Sequence, residues 1–369
     1  MDKVGETTLQ IDLAALEHNF KFLKSRLDPE TKFLSVVKAF AYGSDMVTIA
    51  KKMESLGTDY FAVAYANEGV LLRNAGITLP ILILHPLPIN FEALIDFNLE
   101  PSLYSPKILK LFLEKAEERQ QKDYPVHIKF NTGLNRLGFW ENDVDYIINH
   151  LREQNALKVI SVFSHLAASE DVAERSFSLQ QIATFKKTSE ALNQKLGYKP
   201  FRHMLNTSGI INYPEAQFEM VRSGIGLYGY GNAKAIDAKL KPVAQLKTII
   251  SQLHKIEPNE SVGYNRAYKS EGYRITATLP LGHADGIGRQ YGNKKGHVFI
   301  HGKKAPIIGN VCMDMIMVDV TDIACKEGDE VLVFGLHQSA EEFANTADTI
   351  SYEILTAISH RVKRVIINS

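Results

Sequence analysis

Cysteine is scarce: Cys312 and Cys325 are the only two in 369 residues. That excludes a disulfide framework and a four-thiolate metal centre, and it suits a reducing compartment, so a cytoplasmic protein with no metal site is expected. Charge of one sign is also lacking, because 42 Lys and Arg balance 42 Asp and Glu. No strong field exists to draw nucleic acid or an anionic membrane. No run of 18 or more apolar residues occurs. The N-terminus, MDKVGETTLQIDL, has no basic segment leading into an apolar one, so neither a membrane span nor an export signal is expected. Long repeats and low-complexity tracts are absent. What is present is a globular composition, 45% hydrophobic and 23% charged. The length exceeds what one core usually supports, so two domains are expected, with small molecules or a second copy of the chain as partners.

Between residue 30 and about 230, short apolar or β-branched runs alternate with helical patterns, the signature of repeated βα units. Eight runs can be counted: FLSVVK (33–38), YFAVAY (60–65), PILILH (80–85), LEPSLYS (99–105), VHIKFN (126–131), VISVFSHL (159–166), FRHMLN (201–206) and MVRSGIGLYG (220–229). Eight units predict an α/β fold, an N-terminal TIM-like (β/α)8 barrel. In such barrels the catalytic groups gather at the C-terminal strand ends, so Lys38, Lys129, His165, Asn206 and Arg222 are expected at one mouth. Beyond about 239 the pattern changes to strands punctuated by Gly and Pro, including VAQLKTIISQL, ITATLPLG, GHVFIHGKKAPIIG, MIMVDV and DEVLVFG. A final helical segment, ISYEILTAISHRV, precedes a short strand. The expected division is a barrel domain over 1–238 and a mainly β domain over 239–369, with a first strand at about 7–12 that could pack with the second domain.

Several residues could carry chemistry. A partly desolvated lysine at a barrel mouth can have its pKa lowered enough to form a Schiff base with an aldehyde cofactor, although most lysines after strands only reach for solvent. Asn206-Thr207-Ser208 reads as a phosphate-binding turn or equally as a helix cap. From position alone Arg222 could be an ordinary ion-pair partner and Tyr264 a packed aromatic.

The order of several segments resolves these readings. SVVKAFAYG (35–43), KFNTGLNRLGF (129–139), FSHLA (163–167), HMLNTSG (203–209), VRSGIGLYG (221–229), VGYNRAY (262–268), LPLGHADG (279–286), GNVCMDMIMVDV (309–320) and ISYE (350–353) follow one another across nearly the whole chain. Together they resemble the alanine racemase family, enzymes of fold type III that depend on pyridoxal 5′-phosphate (PLP). The resemblance implies that Lys38 binds the cofactor covalently and then serves as one of two opposed bases, Tyr264 being the other. It implies that Tyr42, His165, Asn206, Thr207, Ser208, Arg222, Gly224, Ile225 and Tyr352 surround the cofactor, and that Arg222 faces its ring nitrogen. A guanidinium stays protonated, so the ring nitrogen would not easily acquire a proton of its own; a weaker electron sink favours racemisation over transamination. A phenol ordinarily titrates near about 10, so a tyrosine base needs a cationic or hydrogen-bonding neighbour, for which His165, linked to Arg222, is the candidate. Arg136 and the Met313 backbone N–H match substrate-carboxylate positions, and Lys129 matches a lysine that is carbamylated in relatives. The resemblance also implies a homodimer whose sites are shared between subunits, a small amino-acid substrate, L- or D-alanine, and a role in D-alanine supply for peptidoglycan.

Departures from the family pattern are Asn131 in place of aspartate, Phe40 in place of a polar residue, Ser44-Asp45 in place of His-Gly, and His283 in place of a tyrosine near substrate entry. Two other readings stay open at this level: a racemase of broader range that accepts serine or basic amino acids, and a non-catalytic PLP-binding barrel. The chain could also be one half of a larger fused enzyme.

Overall fold

The computed structural model describes residues 6–152 and 154–368. The chain divides into two compact units, one made of Glu17–Ala41 and Met46–Leu240, the other of Met1–Leu16, Tyr42–Asp45 and Lys241–Ser369. Strand β1 (Thr8–Asp12) opens the chain and belongs to the second unit.

In the first unit eight strands close a parallel barrel: β2 (Lys32–Val36), β3 (Tyr60–Val63), β4 (Ile81–Ile83), β5 (Glu100–Leu103), β6 (Tyr124–Lys129), β7 (Leu157–Phe163), β8 (Phe201–His203) and β9 (Met220–Ser223). Each coincides with one of the eight apolar runs. Parallel strands covered by helices on the outside and side chains on the inside are buried on both faces, which is why they read as apolar runs rather than alternating ones. Helices such as Pro106–Glu118 and Arg175–Leu196 form the outer layer. Leu109, Phe112 and Ala116 of the former, and Phe185 and Leu192 of the latter, are buried. Nine polar side chains of the barrel strands are buried: Ser35, Glu100, Ser102, His127, Lys129, Ser161, His203, Arg222 and Ser223. Polar groups in a dry interior require partners.

In the second unit β1 pairs antiparallel with β10 (Ala244–Ile249) and parallel with β19 (Lys363–Ile367). The remaining strands are β11 (Gln252–Ile256), β12 (Ser261–Val262), β13 (Tyr268–Lys269), β14 (Arg274–Leu279), β15 (His297–Ile300), β16 (Lys303–Ile308), β17 (Ile316–Asp319) and β18 (Glu330–Phe334). Nine of the unit's eleven strands form one sheet in the order β11-β14-β17-β16-β15-β18-β10-β1-β19.

Two expectations need correction here. VAQLKTIISQL is two strands, because the Ile250 N–H turns to the Asp329 carbonyl and the Ser251 N–H to the Thr278 carbonyl, so the run changes pairing partner midway. The final helix is only Ser351–Ala357. Ile358 is extended (φ −61°, ψ 112°) and the Ser359 N–H donates to the Asp285 carbonyl, which pulls ISHRV out of the helix.

Candidate active site

Lys38 stands directly after β2, where the backbone does something unusual for L-residues. Ala39, Phe40, Ala41 and Tyr42 have φ of +51°, +55°, +55° and +54°, and Gly43 continues at +78°, so the segment Lys38–Gly43 is a left-handed turn. Such a conformation costs roughly 1–2 kcal/mol per residue and survives only where the surroundings over-determine it. Glu68 supplies much of that constraint. Its carboxylate accepts the Ala39 N–H at 2.6 Å and, through the other oxygen, the N–H groups of Ala64 at 2.7 Å and Tyr65 at 3.1 Å. One side chain therefore caps the helix Ala66–Asn74 and pins the turn that carries Lys38. Glu68→Ala is expected to lower unfolding stability by about 2 kcal/mol, because three N–H groups lose a charged acceptor; chemical denaturation measures this, and an unchanged midpoint would show that the turn is held by other means.

Burial lowers the pKa of the Lys38 ammonium, Arg136 lowers it further, and Glu68 opposes both. Lys129, at the end of β6, is buried and lies within reach of several cations: desolvation first, then Arg136, Arg222 and Lys38, bring its pKa down to about 8. His165, just beyond β7, is held well below the usual imidazole range by burial and by Arg222, Arg136, Lys129 and Lys38. These mutual effects place Lys38, Lys129, Arg136, His165 and Arg222 in one electrostatic neighbourhood at the C-terminal strand ends. Among the described residues no ion pair neutralises Lys129, Arg136 or Arg222.

The lowered Lys129 value has a measurable consequence. The amine binds fewer protons in the folded chain than in the unfolded one between about pH 8 and its ordinary 10.5, so stability rises with pH across that window, by up to about 3 kcal/mol. Denaturation of wild type and Lys129→Met in carbonate-free buffer should show a steeper rise in wild type than in the variant, where only other groups such as Lys38 contribute. Parallel pH curves would contradict it.

Arg222, on β9, is held by four contacts. Its guanidinium donates to the carbonyls of Ser164 (2.7 Å) and Met204 (3.1 Å), to Nδ1 of His203 (2.6 Å) and to Nδ1 of His165 (3.0 Å). Since arginine can only donate, His165 accepts at Nδ1 and carries its proton on Nε2. The Phe163 ring lies against both Arg222 and Lys129, at 5.4 and 5.8 Å.

After β8 and β9 the loops are tied together. Thr207 Oγ1 bonds to Ser223 Oγ at 2.9 Å and accepts the Gly226 N–H at 3.2 Å; a Cβ on Gly226 would come within 2.4 Å of the Thr207 methyl. Asn206 acts as the cap of helix Thr207–Asn212, accepting the Gly209 N–H at 2.9 Å. No hydrogen bond among the described residues takes up the N–H groups of Thr207, Ser208, Gly224 or Ile225, although Thr207, Ser208 and Ile225 are buried. Unpaired buried donors beside an uncompensated cluster of cations fit an anionic occupant, and a lysine of lowered pKa fits an aldehyde. The residues present therefore suit a phosphorylated aldehyde cofactor.

The other candidates lie in the second unit. Burial and the nearby Tyr352 ring, 6.0 Å away between centroids, push the Tyr42 phenol upward, so it stays protonated and able to donate. Tyr264 sits in a tight turn after Gly263 (φ +80°) and is 71% exposed; Met313 is 59% exposed. Both line a cavity together with His254, Ile256, Val262 and Met317. The Met313 carbonyl accepts the Ala284 N–H at 3.0 Å, whereas its own N–H has no partner among the described residues. His283 is exposed at the start of the turn His283–Asp285, which Arg361 anchors by gripping Asp285 at 2.7 and 2.9 Å and Asp314 at 2.7 Å.

Sequence reasoning did not single out Glu68, Glu100, His127, Ser161 or His203. The signal for the last four was polar residues at inward positions of otherwise apolar barrel strands. Among the described residues no group of three or more His, Cys, Asp or Glu could hold a metal, and no helix is long and apolar enough to cross a membrane.

Comparison with known proteins bears on the family and the fold. Residues 11–232 match the model of the alanine racemase N-terminal domain, and residues 243–366 that of the C-terminal domain. An alanine racemase of Halothermothrix orenii is 37% identical over 366 residues, covering 97% of this chain and 96% of that one. One from Geobacter sulfurreducens is 36% identical, covering 98% and 97%. Among solved structures, the alanine racemase of Clostridium difficile superimposes with a TM-score of 0.93 at 34% identity, covering 99% and 97%. That of Bartonella henselae, solved with covalently bound pyridoxal phosphate, gives 0.90 at 30%, covering 99% and 100%. With both family models matched in order and the barrel and β sheet both present, the chain belongs to the alanine racemase family.

Proposed function

We propose that this protein is a PLP-dependent alanine racemase that interconverts L- and D-alanine by a two-base mechanism. The observation that carries the reading is the set of groups at the barrel's strand ends, a lysine of lowered pKa amid uncompensated cations and unpaired backbone donors, in a chain of this family. Lys38 would hold the cofactor. Its phosphate would be taken by Tyr42 and Tyr352, by the Asn206-Thr207-Ser208 segment and by the Gly224 and Ile225 N–H groups, and Arg222 would face its ring nitrogen with His165 beside it. The chemistry supplied by the cofactor when bound is a conjugated sink for negative charge at the substrate's Cα.

Racemisation requires proton exchange on both faces of a planar Cα. Lys38 Nζ, its pKa lowered by burial, holds or delivers the proton on one face. The Tyr264 phenol oxygen does so on the other, contributed by a second copy of the chain. Arg136 and the Met313 N–H orient the substrate carboxylate. Exposure of Tyr264, Met313 and Met315 on one face of the second unit supports the homodimer, since apolar surface of this kind marks an interface. Addition of carbon dioxide to the neutral Lys129 amine, with loss of a proton, would give a carbamate that balances Arg136. We place the domain boundary at 238/239 and the protein in the cytoplasm, where D-alanine would feed peptidoglycan.

The test is chiral chromatography of L-alanine incubated with the PLP-loaded protein, with L-serine and L-lysine in parallel. D-alanine as the dominant product supports the reading. Preference for serine or lysine would support the broader racemase, and a PLP-loaded protein that turns over none of the three would overturn the assignment.

A further inference from the structure

Among the described residues no carboxylate pairs with the buried Arg222, yet its guanidinium is the first member of a hydrogen-bonded row that ends on one. His203 Nδ1 lies 2.6 Å from Arg222, His203 Nε2 is 2.9 Å from Ser161 Oγ, Ser161 Oγ is 2.5 Å from His127 Nδ1, and His127 Nε2 is 2.7 Å from Glu100 Oε2. The five residues come from β5, β6, β7, β8 and β9, and all are buried. Tyr60 also hydrogen-bonds Glu100 and sets its ring edge against His127. The His203 ring is stacked on Phe163 at 4.8 Å with 4° between planes, so it cannot turn without disturbing the core.

Both ends of the row have fixed polarity, because a guanidinium only donates and a carboxylate only accepts. That settles every proton between them. Arg222 donates to His203 Nδ1, so the His203 proton is on Nε2 and goes to Ser161 Oγ. The Ser161 hydroxyl is left to donate to His127 Nδ1, and the His127 Nε2–H donates to Glu100. Any other arrangement leaves a buried donor without an acceptor or sets two donors against each other. Burial and the neighbouring Arg222 and His127 hold His203 well below the usual imidazole range, which agrees with a neutral ring.

We propose that Glu100, His127, Ser161 and His203 are positioning residues that act through Arg222, a one-way row of donors that locks His203 in the tautomer able to accept from the guanidinium. It rests on the reading above in one respect, that the cofactor ring nitrogen faces Arg222. Breaking the row in the middle orphans the His203 Nε2–H in a dry core. The ring can then move its proton to Nδ1, where it opposes the Arg222 N–H and loosens the guanidinium. A displaced Arg222 no longer keeps the ring nitrogen unprotonated, and side reactions gain on racemisation.

The experiment is nitrogen NMR of the PLP-loaded protein labelled in its histidine rings, with Ser161→Ala and Ser161→Thr alongside. Wild type should show both His127 and His203 as neutral Nε2–H tautomers. Ser161→Ala should convert His203 partly to the Nδ1–H form and raise pyruvate released per racemisation turnover by about tenfold, while Ser161→Thr, which keeps the hydroxyl, restores both readouts. An Nδ1–H or doubly protonated His203 in wild type overturns the proposal, as does a folded Ser161→Ala protein with unchanged tautomer and product ratio. The wild-type spectrum decides the matter even where a variant fails to fold. A failure of the functional reading shows separately, as wild type that binds no PLP or racemises nothing.

Discussion

Lys38→Ala is expected to reduce alanine racemisation by at least about 10³-fold and to abolish covalent retention of the cofactor. Nζ of Lys38 is the amine at the end of β2 whose pKa is lowered by burial and Arg136, and the left-handed turn behind it, pinned by Glu68, limits where that amine can go. A substituted side chain leaves the barrel closed, because Lys38 follows β2 and contributes no strand pairing. The check is borohydride reduction followed by peptide mapping, together with the racemisation rate. Covalent label elsewhere, or activity within tenfold of wild type, would remove Lys38 from the reaction.

Tyr264→Phe is expected to have a comparable effect of about 10³-fold on racemisation, but with a different isotopic signature. Removing one of two opposed bases leaves proton exchange on a single face. In deuterated buffer the variant should wash deuterium into only one enantiomer of alanine while scarcely converting it to the other. A packed aromatic would give another outcome, since loss of a hydroxyl from a side chain 71% exposed would leave both exchange and racemisation close to wild type. The two substitutions thus fail differently, Lys38→Ala in attachment and Tyr264→Phe in stereochemistry.

Much of this architecture was legible in the sequence, for identifiable physical reasons. The barrel strands announce themselves as apolar runs because both faces are buried, and LEPSLYS, the least apolar of them, contains Glu100, whose burial the hydrogen bond to His127 makes tolerable. Strand ends such as Lys38, Lys129 and Arg222 could be picked out because barrel geometry sends their side chains to one end. The left-handed turn at 39–42 was not legible: Ala-Phe-Ala-Tyr has none of the glycine or asparagine that usually marks positive φ, and the constraint comes from Glu68, some thirty residues away. Nor was the row from Arg222 to Glu100, since each member is a single polar residue on a different strand and only closure of the barrel brings them into line. The division of VAQLKTIISQL was hidden for a similar reason, because Asp329 and Thr278, which redirect Ile250 and Ser251, lie far along the chain.

The most direct test of two-base racemisation is the initial rate of deuterium entry at Cα, measured on the PLP-loaded wild type with L-alanine and D-alanine as separate starting materials. Opposed bases on the two faces predict solvent deuterium at Cα of the enantiomer formed, from either starting material, because the delivering base never held the substrate's proton. Product that keeps the substrate's own Cα proton, or no exchange in a protein that has bound its cofactor, would contradict the assignment of Lys38 and Tyr264 to opposite faces.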